Sequence, residues 1–276
     1  MKVMAVGDNV VDIYIPENIG YPGGNALNFS VFSKMLGCES EFIGIFGSDL
    51  LAKKIKELLI EKQVEFSKSK TVAGESGYTK VKLENGDRKF IFSNKGGVNS
   101  SYEIKVSSEK LNSANLIHFN ANGNCDELIK LVNNKTTKIL YDFSDFSSMS
   151  RIEKIMPYIN LGCFSFADKT SKEIESFCYM IASRFACDLL CTAGSKGAYF
   201  FENKVNKMTY VPAKKINPQD TMGAGDAFIT CFATEFFNSS ITKDIQEILK
   251  DATDFAACQC MVDGSFGNGF KIPENN

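Results

Sequence analysis

With 276 residues, 44% of them apolar and 23% charged, the chain can bury a substantial core and is neither disordered nor fibrous in composition. Its 31 basic residues against 33 acidic ones leave a formal charge of -2 with no long run of Lys or Arg, which argues against a nucleic-acid or anionic-membrane partner. No apolar stretch approaches the roughly 18–20 residues that cross a bilayer, and residues 1–12 turn polar before a signal-peptide core could form, so a cytoplasmic protein is expected.

Taken in order, short apolar runs recur at Val3-Met4-Ala5-Val6, Phe42-Ile43-Gly44-Ile45-Phe46, Leu116-Ile117-His118-Phe119, Ile139-Leu140-Tyr141, Cys163-Phe164-Ser165-Phe166 and Leu189-Leu190-Cys191. They are too short for helices and apolar throughout, as strands buried on both faces of a parallel sheet are. Helices are predicted between them: residues 25–36, with Phe29, Phe32 and Leu36 on one face and Gly37 as the stop, then 171–184, 224–237 and 242–262. The alternation predicts a layered α/β fold with right-handed crossovers. Two stretches break it. Residues 11–20 and about 76–95 read as extended, the second as a hairpin turning at Asn85-Gly86, and together they suit a small β-sheet lid on a single domain spanning 1–276.

Nine Cys, at 38, 125, 163, 178, 187, 191, 231, 258 and 260, are odd in number and never in C-x-x-C pairs, so they read as reduced thiols, several of them small core residues. The sole His, His118, rules out a His-rich metal cage and closes an apolar run, where a core role is expected.

The most informative stretch is Asp220-Thr221-Met222-Gly223-Ala224-Gly225-Asp226, leading into the helical run Ala227-Phe228-Ile229-Thr230. Two glycines at a helix mouth let backbone N–H groups converge where the helix dipole adds positive charge, a setting for a phosphoryl group. An Asp one residue later could take the proton of an attacking hydroxyl. The plainer reading is an acidic residue placed for the dipole, with glycines that allow close packing.

The seven-residue string resembles the D-T-x-G-A-G-D signature of the ribokinase-like, or phosphofructokinase B, family of sugar kinases. Gly23, Gly24, Asn25 and Asn28 match that family's G-G-N-x-x-N signature. The resemblance covers essentially the whole chain and implies a Rossmann-like three-layer sandwich of about nine strands with a small β-sheet lid. It also implies Asp226 as catalytic base, with Gly223, Ala224 and Gly225 as the anion hole for the γ-phosphate. Gly23 and Gly24 permit close backbone approach, and the amides of Asn25 and Asn28 can donate to and accept from sugar hydroxyls; Asn25 could equally be an N-cap. Asp12 falls where family members hold sugar hydroxyls with a carboxylate, against the alternative of a solvated turn residue. Thr192-Ala193-Gly194-Ser195-Lys196-Gly197 resembles the family's T-x-G-x-x-G nucleotide loop, which puts ATP against Thr192, Gly194 and Gly197 and the adenine near Ala257 and Cys258. Neither a P-loop nor a dinucleotide fingerprint occurs.

Two departures stand out. Where many members carry N-x-x-E to organise magnesium, this chain has Phe166-Ala167-Asp168-Lys169-Thr170, with Glu173 farther on, which leaves Asp168 as the metal candidate. Mg2+ is expected with ATP, and the family admits a monovalent cation. The strand at 139–142 continues as Asp142-Phe143-Ser144-Asp145 and not as D-P-N-x-R. That segment, Gly7-Asp8-Asn9-Val10-Val11-Asp12-Ile13-Tyr14 and the 220–226 string together look like the fructoselysine 6-kinase subgroup. The implied substrate is a fructosyl-amine phosphorylated at O6, its cationic amine facing an acidic residue such as Asp8 or Asp145. A lid-mediated homodimer is compatible with the family. The rival readings are a kinase for another small sugar or nucleoside, a non-catalytic sugar-binding relative, and a nucleotide-dependent oxidoreductase, which the missing fingerprint disfavours.

Overall fold

The central strands are apolar on both faces, and each face feeds a different core. In β1 (Lys2–Val6), Val3 and Ala5 enter one core while Met4 and Val6 enter the other, the two-residue alternation of a pleated strand. The computed structural model describes residues 1–84, 87–145 and 148–273. Within it, β1 joins β4 (Glu39–Ile43), β9 (Leu116–Asn120), β10 (Lys138–Asp142), β11 (Leu161–Ser165), β12 (Asp188–Thr192), β13 (Ala198–Glu202) and β14 (Lys207–Val211) in an eight-stranded sheet, where about nine were expected. The order is β14-β13-β12-β11-β10-β9-β1-β4, parallel from β4 to β12 and antiparallel over the last two pairings.

Helices cover both faces. The first core takes Phe29 and Phe32 of α1 (Asn25–Met35), Ile55, Leu58 and Leu59 of α2 (Leu50–Glu61), Phe228 and Phe232 of α7 (Ala224–Phe236) and Ile248 and Leu249 of α8 (Ile245–Gln259). The second takes Leu111 of the short α4 (Ser108–Leu111), which follows the single turn α3 (Val98–Ser101), then Ile152 and Ile155 of α5 (Met149–Ile155) and Ile174 and Ile181 of α6 (Ser171–Ala182). Fully buried Phe29, Phe32 and Phe232 each contribute about 2–3 kcal/mol by removal from water. Local signals set the helix ends: the Asp49 carboxylate caps α2, capping boxes of Thr170 with Glu173 and Asp244 with Glu247 start α6 and α8, and Gly37 at φ 82° stops the chain after α1.

The run Phe42–Phe46 is not one strand. A Cβ on Gly44 would fall 2.4 Å from Phe42 Cζ and 2.8 Å from the Gly7 carbonyl. The chain therefore leaves the sheet there, and β5 (Ile45–Phe46) pairs with β6 (Lys70–Thr71). The predicted extended stretch at 11–20 is two strands, β2 (Val10–Tyr14) and β3 (Ile19–Gly23). They form the middle of a second, five-stranded sheet, β15-β3-β2-β7-β8, with β7 (Gly77–Glu84), β8 (Asp87–Ser93) and β15 (Phe270–Lys271). The predicted Asn85-Gly86 turn lies outside the described residues. No helix among the described residues is long and apolar enough to cross a membrane.

Strand β1 has β4 on one side and β9 on the other, so connections diverge there and open a crevice beyond the carboxyl ends of β1, β9 and β10. Asp8, Asn120 and Asp142 stand at those ends, and β2 begins directly beyond.

Candidate active site

Three buried contacts shape the turn before α7. The Asp220 carboxylate, fully buried, accepts from the Met222 amide at 2.9 Å, the Gly264 amide at 2.8 Å and the Tyr14 hydroxyl at 2.6 Å. Its first residue is thus a strut between the turn, the 264 segment and the second sheet. Gly223 then takes φ 71°, and a Cβ on it would lie 2.5 Å from Ser265 Oγ, so only glycine fits. Gly225 differs: it is exposed, and nothing lies within 4 Å of where its Cβ would be. At the head of α7 the Ala224 amide donates to the Thr221 carbonyl at 3.3 Å, and the first-turn amides have no acceptor inside the helix, which puts the positive end of the helix dipole beside Gly223, Ala224 and Gly225.

Asp226 follows in the first turn of α7, partly exposed. Asn28 Nδ2 donates to its Oδ2 at 2.6 Å and Asn25 Nδ2 to its Oδ1 at 3.1 Å. The same Asn25 nitrogen also donates to Asp142 Oδ2 at 3.0 Å, while Asn25 Oδ1 accepts from Asn122 Nδ2 at 3.1 Å. Both signature amides therefore grip carboxylates across the interface of α1 and α7. Asn28 Oδ1 is buried without a donor, and it lies 4.0 Å from the Cβ position of Gly23, with Asp12 Oδ2 at 3.5 Å from that point. Gly23, Asp12 and Asn28 thus share one corner. Gly24 does not open toward it: at φ 106° a Cβ there would meet Asn9 Cα and Asp8 Oδ2 at 3.1 Å, so this glycine seats α1 on the loop after β1.

The acidic residues at the strand ends have distinct environments. Asp8 is buried, its Oδ1 accepting from the Ala26 amide at 3.1 Å and Asn120 Nδ2 at 2.9 Å, and burial pushes its carboxyl up. It ties β1 to α1 and β9. Asp142 is 2% exposed; burial first, then the Asp226 charge, pushes its carboxyl up to about 7, although the Ser144 amide and Asn25 oppose this. Asp145 is exposed, 3.4 Å from Ser144 Oγ. His118 is 1% exposed and stacks on Phe29 with ring centroids 4.4 Å apart, so burial drives its imidazole down to about 3, a neutral core ring.

A second cluster lies past the end of β12. Thr192 ends that strand with Oγ1 3.4 Å from Ser165 Oγ. Gly197, at φ 111°, has the Val211 carbonyl 2.1 Å from its Cβ position, so glycine is needed for the loop to abut β14. Gly194, at φ 57°, has only Ala167 nearby at 3.6 Å. Lys196 Nζ donates to the carbonyls of Ala167 at 2.8 Å and Lys169 at 3.1 Å, fastening this loop to the one after β11. Exposed Cys258 lies on α8 beside buried Ala257, on a helix tied to the segment after β14 by Lys214 to Asp254 at 2.7 Å.

The model of the pfkB family carbohydrate kinases matches residues 9–267, a span that contains both signature strings and both clusters. The chain belongs to that family. As a member it is a carbohydrate kinase, a phosphotransferase acting on an alcohol group. It is 34% identical over 279 residues to the fructosamine kinase FrlD of Bacillus subtilis, covering 98% of this chain and 94% of that one. It is 27% identical over 239 residues to the fructoselysine 6-kinase of Escherichia coli, covering 84% and 88%. Among solved structures, Arabidopsis thaliana ribokinase complexed with ribose and ATP superposes with a TM-score of 0.80 at 20% identity, covering 98% of this chain and 96% of that one, which shows the shared ribokinase-like fold.

In this kinase the metal candidates are sparse. Asp168 is exposed on the turn after β11, and the Glu173 carboxylate is occupied by the Thr170 amide and hydroxyl, both at 2.7 Å. Among the described residues no trio of His, Cys, Asp or Glu is placed to hold an ion. That arrangement suits a magnesium ion carried by phosphates and waters and not one caged by protein. The Asn122–Asn25–Asp142 link and the Tyr14–Asp220 strut join residues too far apart in the chain for any spacing to signal them.

Proposed function

We propose that this kinase transfers the γ-phosphoryl group of ATP to the O6 hydroxyl of a fructosyl-amine such as fructoselysine. The observation that carries the reading is Asp226, held by Asn25 and Asn28 at the open mouth of α7. Standing beside that mouth, the Asp226 carboxylate would take the proton of the attacking hydroxyl as general base. The amides of Gly223, Ala224 and Gly225 would face the transferring phosphoryl group, as electrostatic stabilisation requires. Asp12, Gly23, Asn25 and Asn28 would orient the sugar, with Asn28 Oδ1 accepting from one of its hydroxyls.

ATP would lie along Thr192, Gly194 and Gly197 with its base toward Cys258 of α8, and magnesium would enter on its phosphates, with Asp168 as its candidate side-chain contact. The magnesium ion supplies charge neutralisation of the polyphosphate. The five-stranded sheet would serve as a lid that excludes water from the crevice. The amine-bearing substrate is supported by the names of the two relatives, a fructosamine kinase and a fructoselysine 6-kinase.

ADP release with fructoselysine, other fructosyl-amines, fructose, ribose and nucleosides tests the reading, in potassium and in tetramethylammonium buffers to expose a monovalent-ion requirement. Fructosyl-amines should turn over fastest, and phosphorus NMR should place the product phosphate on C6. Preference for a neutral sugar or nucleoside would reassign the substrate, and turnover of nothing would favour a sugar-binding relative. Asp226→Asn should fold and bind ATP while losing about 10²-fold or more in kcat, the scale of a general base.

A further inference from the structure

Asp142 touches neither the Gly23 corner nor the mouth of α7 in any contact described above, yet it is bonded to the residue that orients the base. Asn25 spends its single NH2 group on two carboxylates, 3.0 Å to Asp142 and 3.1 Å to Asp226. One nitrogen touching both means the two carboxylates lie within about 6 Å, the range in which like charges raise each other's proton affinity. The amide cannot turn over at no cost, because Asn122 Nδ2 donates to its oxygen at 3.1 Å. The far oxygen of Asp142 accepts the Ser144 amide at 2.8 Å, in a turn where Ser144 itself sits at φ 57°. The arrangement is a built one.

We propose that Asp142 is a positioning residue for phosphoryl transfer: through Asn25 it fixes the orientation of the Asp226 carboxylate, and its negative charge makes Asp226 a stronger base. This rests on the assignment of Asp226 as base. The titratable and charged groups facing Asp142 are Asp226 from α7, Asp8 from the segment after β1 and Cys163 from β11, with Asn25 of α1 and the Ser144 amide as neutral donors. Burial drives the Cys163 thiol up, so it carries no charge near neutrality. The acidic groups of the pair therefore give up their last proton late, as Asp142, pushed up to about 7, ionises. Above that pH Asp226 works next to a second negative charge; below it, next to a neutral acid.

The test is the pH dependence of kcat for phosphorylation of a fructosyl-amine at saturating ATP, from pH 5.5 to 9. The wild type should rise through a step near neutrality of about 3–10-fold, the Brønsted response to a base strengthened by one to two pH units. Asp142→Asn, isosteric and uncharged, with its one oxygen toward Asn25 and its NH2 toward the Ser144 amide or the reverse, should lose the step and stay at or below the lower plateau, with KM for ATP unchanged. Asn122→Ala, a change at an exposed residue that spares folding, should keep the step but lower kcat several-fold as the Asn25 amide is released. A step that persists in Asp142→Asn, or full kcat in both variants, overturns the proposal. Asp226→Asn separates this from the parent reading: if it retains turnover the base itself is misassigned, whereas an inactive Asp226→Asn beside an unaltered Asp142→Asn sinks only the inference about Asp142.

Discussion

Gly223 and Gly225 stand two residues apart in the same turn, and the structure predicts opposite responses to the same substitution. At Gly223, alanine must take φ 71°, which costs an L-residue about 1–2 kcal/mol. Its Cβ would also sit 2.7 Å from Ser265 Cβ, so about 1 Å must open to reach ordinary carbon contact. Overpacking of that kind costs about 1–3 kcal/mol, and together the two effects come to about 2–5 kcal/mol. For a chain of this size that corresponds to a loss of about 3–9 °C in Tm. Displacing the head of α7 by about 1 Å moves Asp226 with it, so kcat should fall about 10²-fold.

At Gly225, alanine meets nothing within 4 Å and sits in helical backbone. It should raise stability by up to about 1 kcal/mol, glycine being the poorer helix former. The new methyl would nevertheless stand at the mouth proposed to receive the phosphate, and kcat/KM should drop about tenfold or more. Thermal melts without ligand, paired with ADP release, read both effects. If Gly223→Ala melts and turns over like the wild type, or Gly225→Ala melts lower, the account of the turn is wrong.

Asp220→Asn should destabilise by about 2–4 kcal/mol in urea unfolding, because all three partners of the carboxylate are donors and an amide NH2 must face at least one of them. Unfolding followed as a function of pH should reveal two opposed titrations. His118, at about 3 when folded against 6.5 ordinarily, gives stability that is complete above pH 6.5 and falls by about 1.4 kcal/mol per unit below it, down to about pH 3. Asp142, at about 7 when folded against 3.8 ordinarily, holds an extra proton in the fold between those values, so its contribution rises as pH falls. The two cancel from about pH 4 to 6.5. His118→Gln should therefore differ from the wild type by a slope of about 1.4 kcal/mol per pH unit in that window, and Asp142→Asn by the same slope with the opposite sign. Parallel curves for all three proteins would contradict both assignments.

The elements that sequence periodicity revealed are those whose signals are local. Helix α1 ends where Gly37 stands, and the central strands carry apolar side chains on both faces because two helical layers cover them. Helix α2, absent from the predicted helices, also carries local signals, the Asp49 cap followed by buried Ile55, Leu58 and Leu59. The Phe42–Phe46 run misled because apolarity alone does not show that Gly44 has no room for a side chain against Phe42 and Gly7. At the site, the two signature strings were legible as strings. What they do to each other was not: Asn25 meets Asp142 across 117 positions and Asp226 across 201, distances over which no spacing rule operates. Asp8 is a candidate by resemblance to face the cationic amine of the substrate, and the structure buries it under α1, where two donors hold it.

Tyr14 belongs to the five-stranded sheet proposed as a cover, whereas Asp220 belongs to the turn proposed to receive the phosphate, and a 2.6 Å bond rivets one to the other. Any swing of that cover must therefore either pivot about this rivet or shear it. Opening and closing would then be transmitted to the turn before α7 as mechanical load, and a mutation far out on the sheet could alter the proposed chemical step without approaching either reactant.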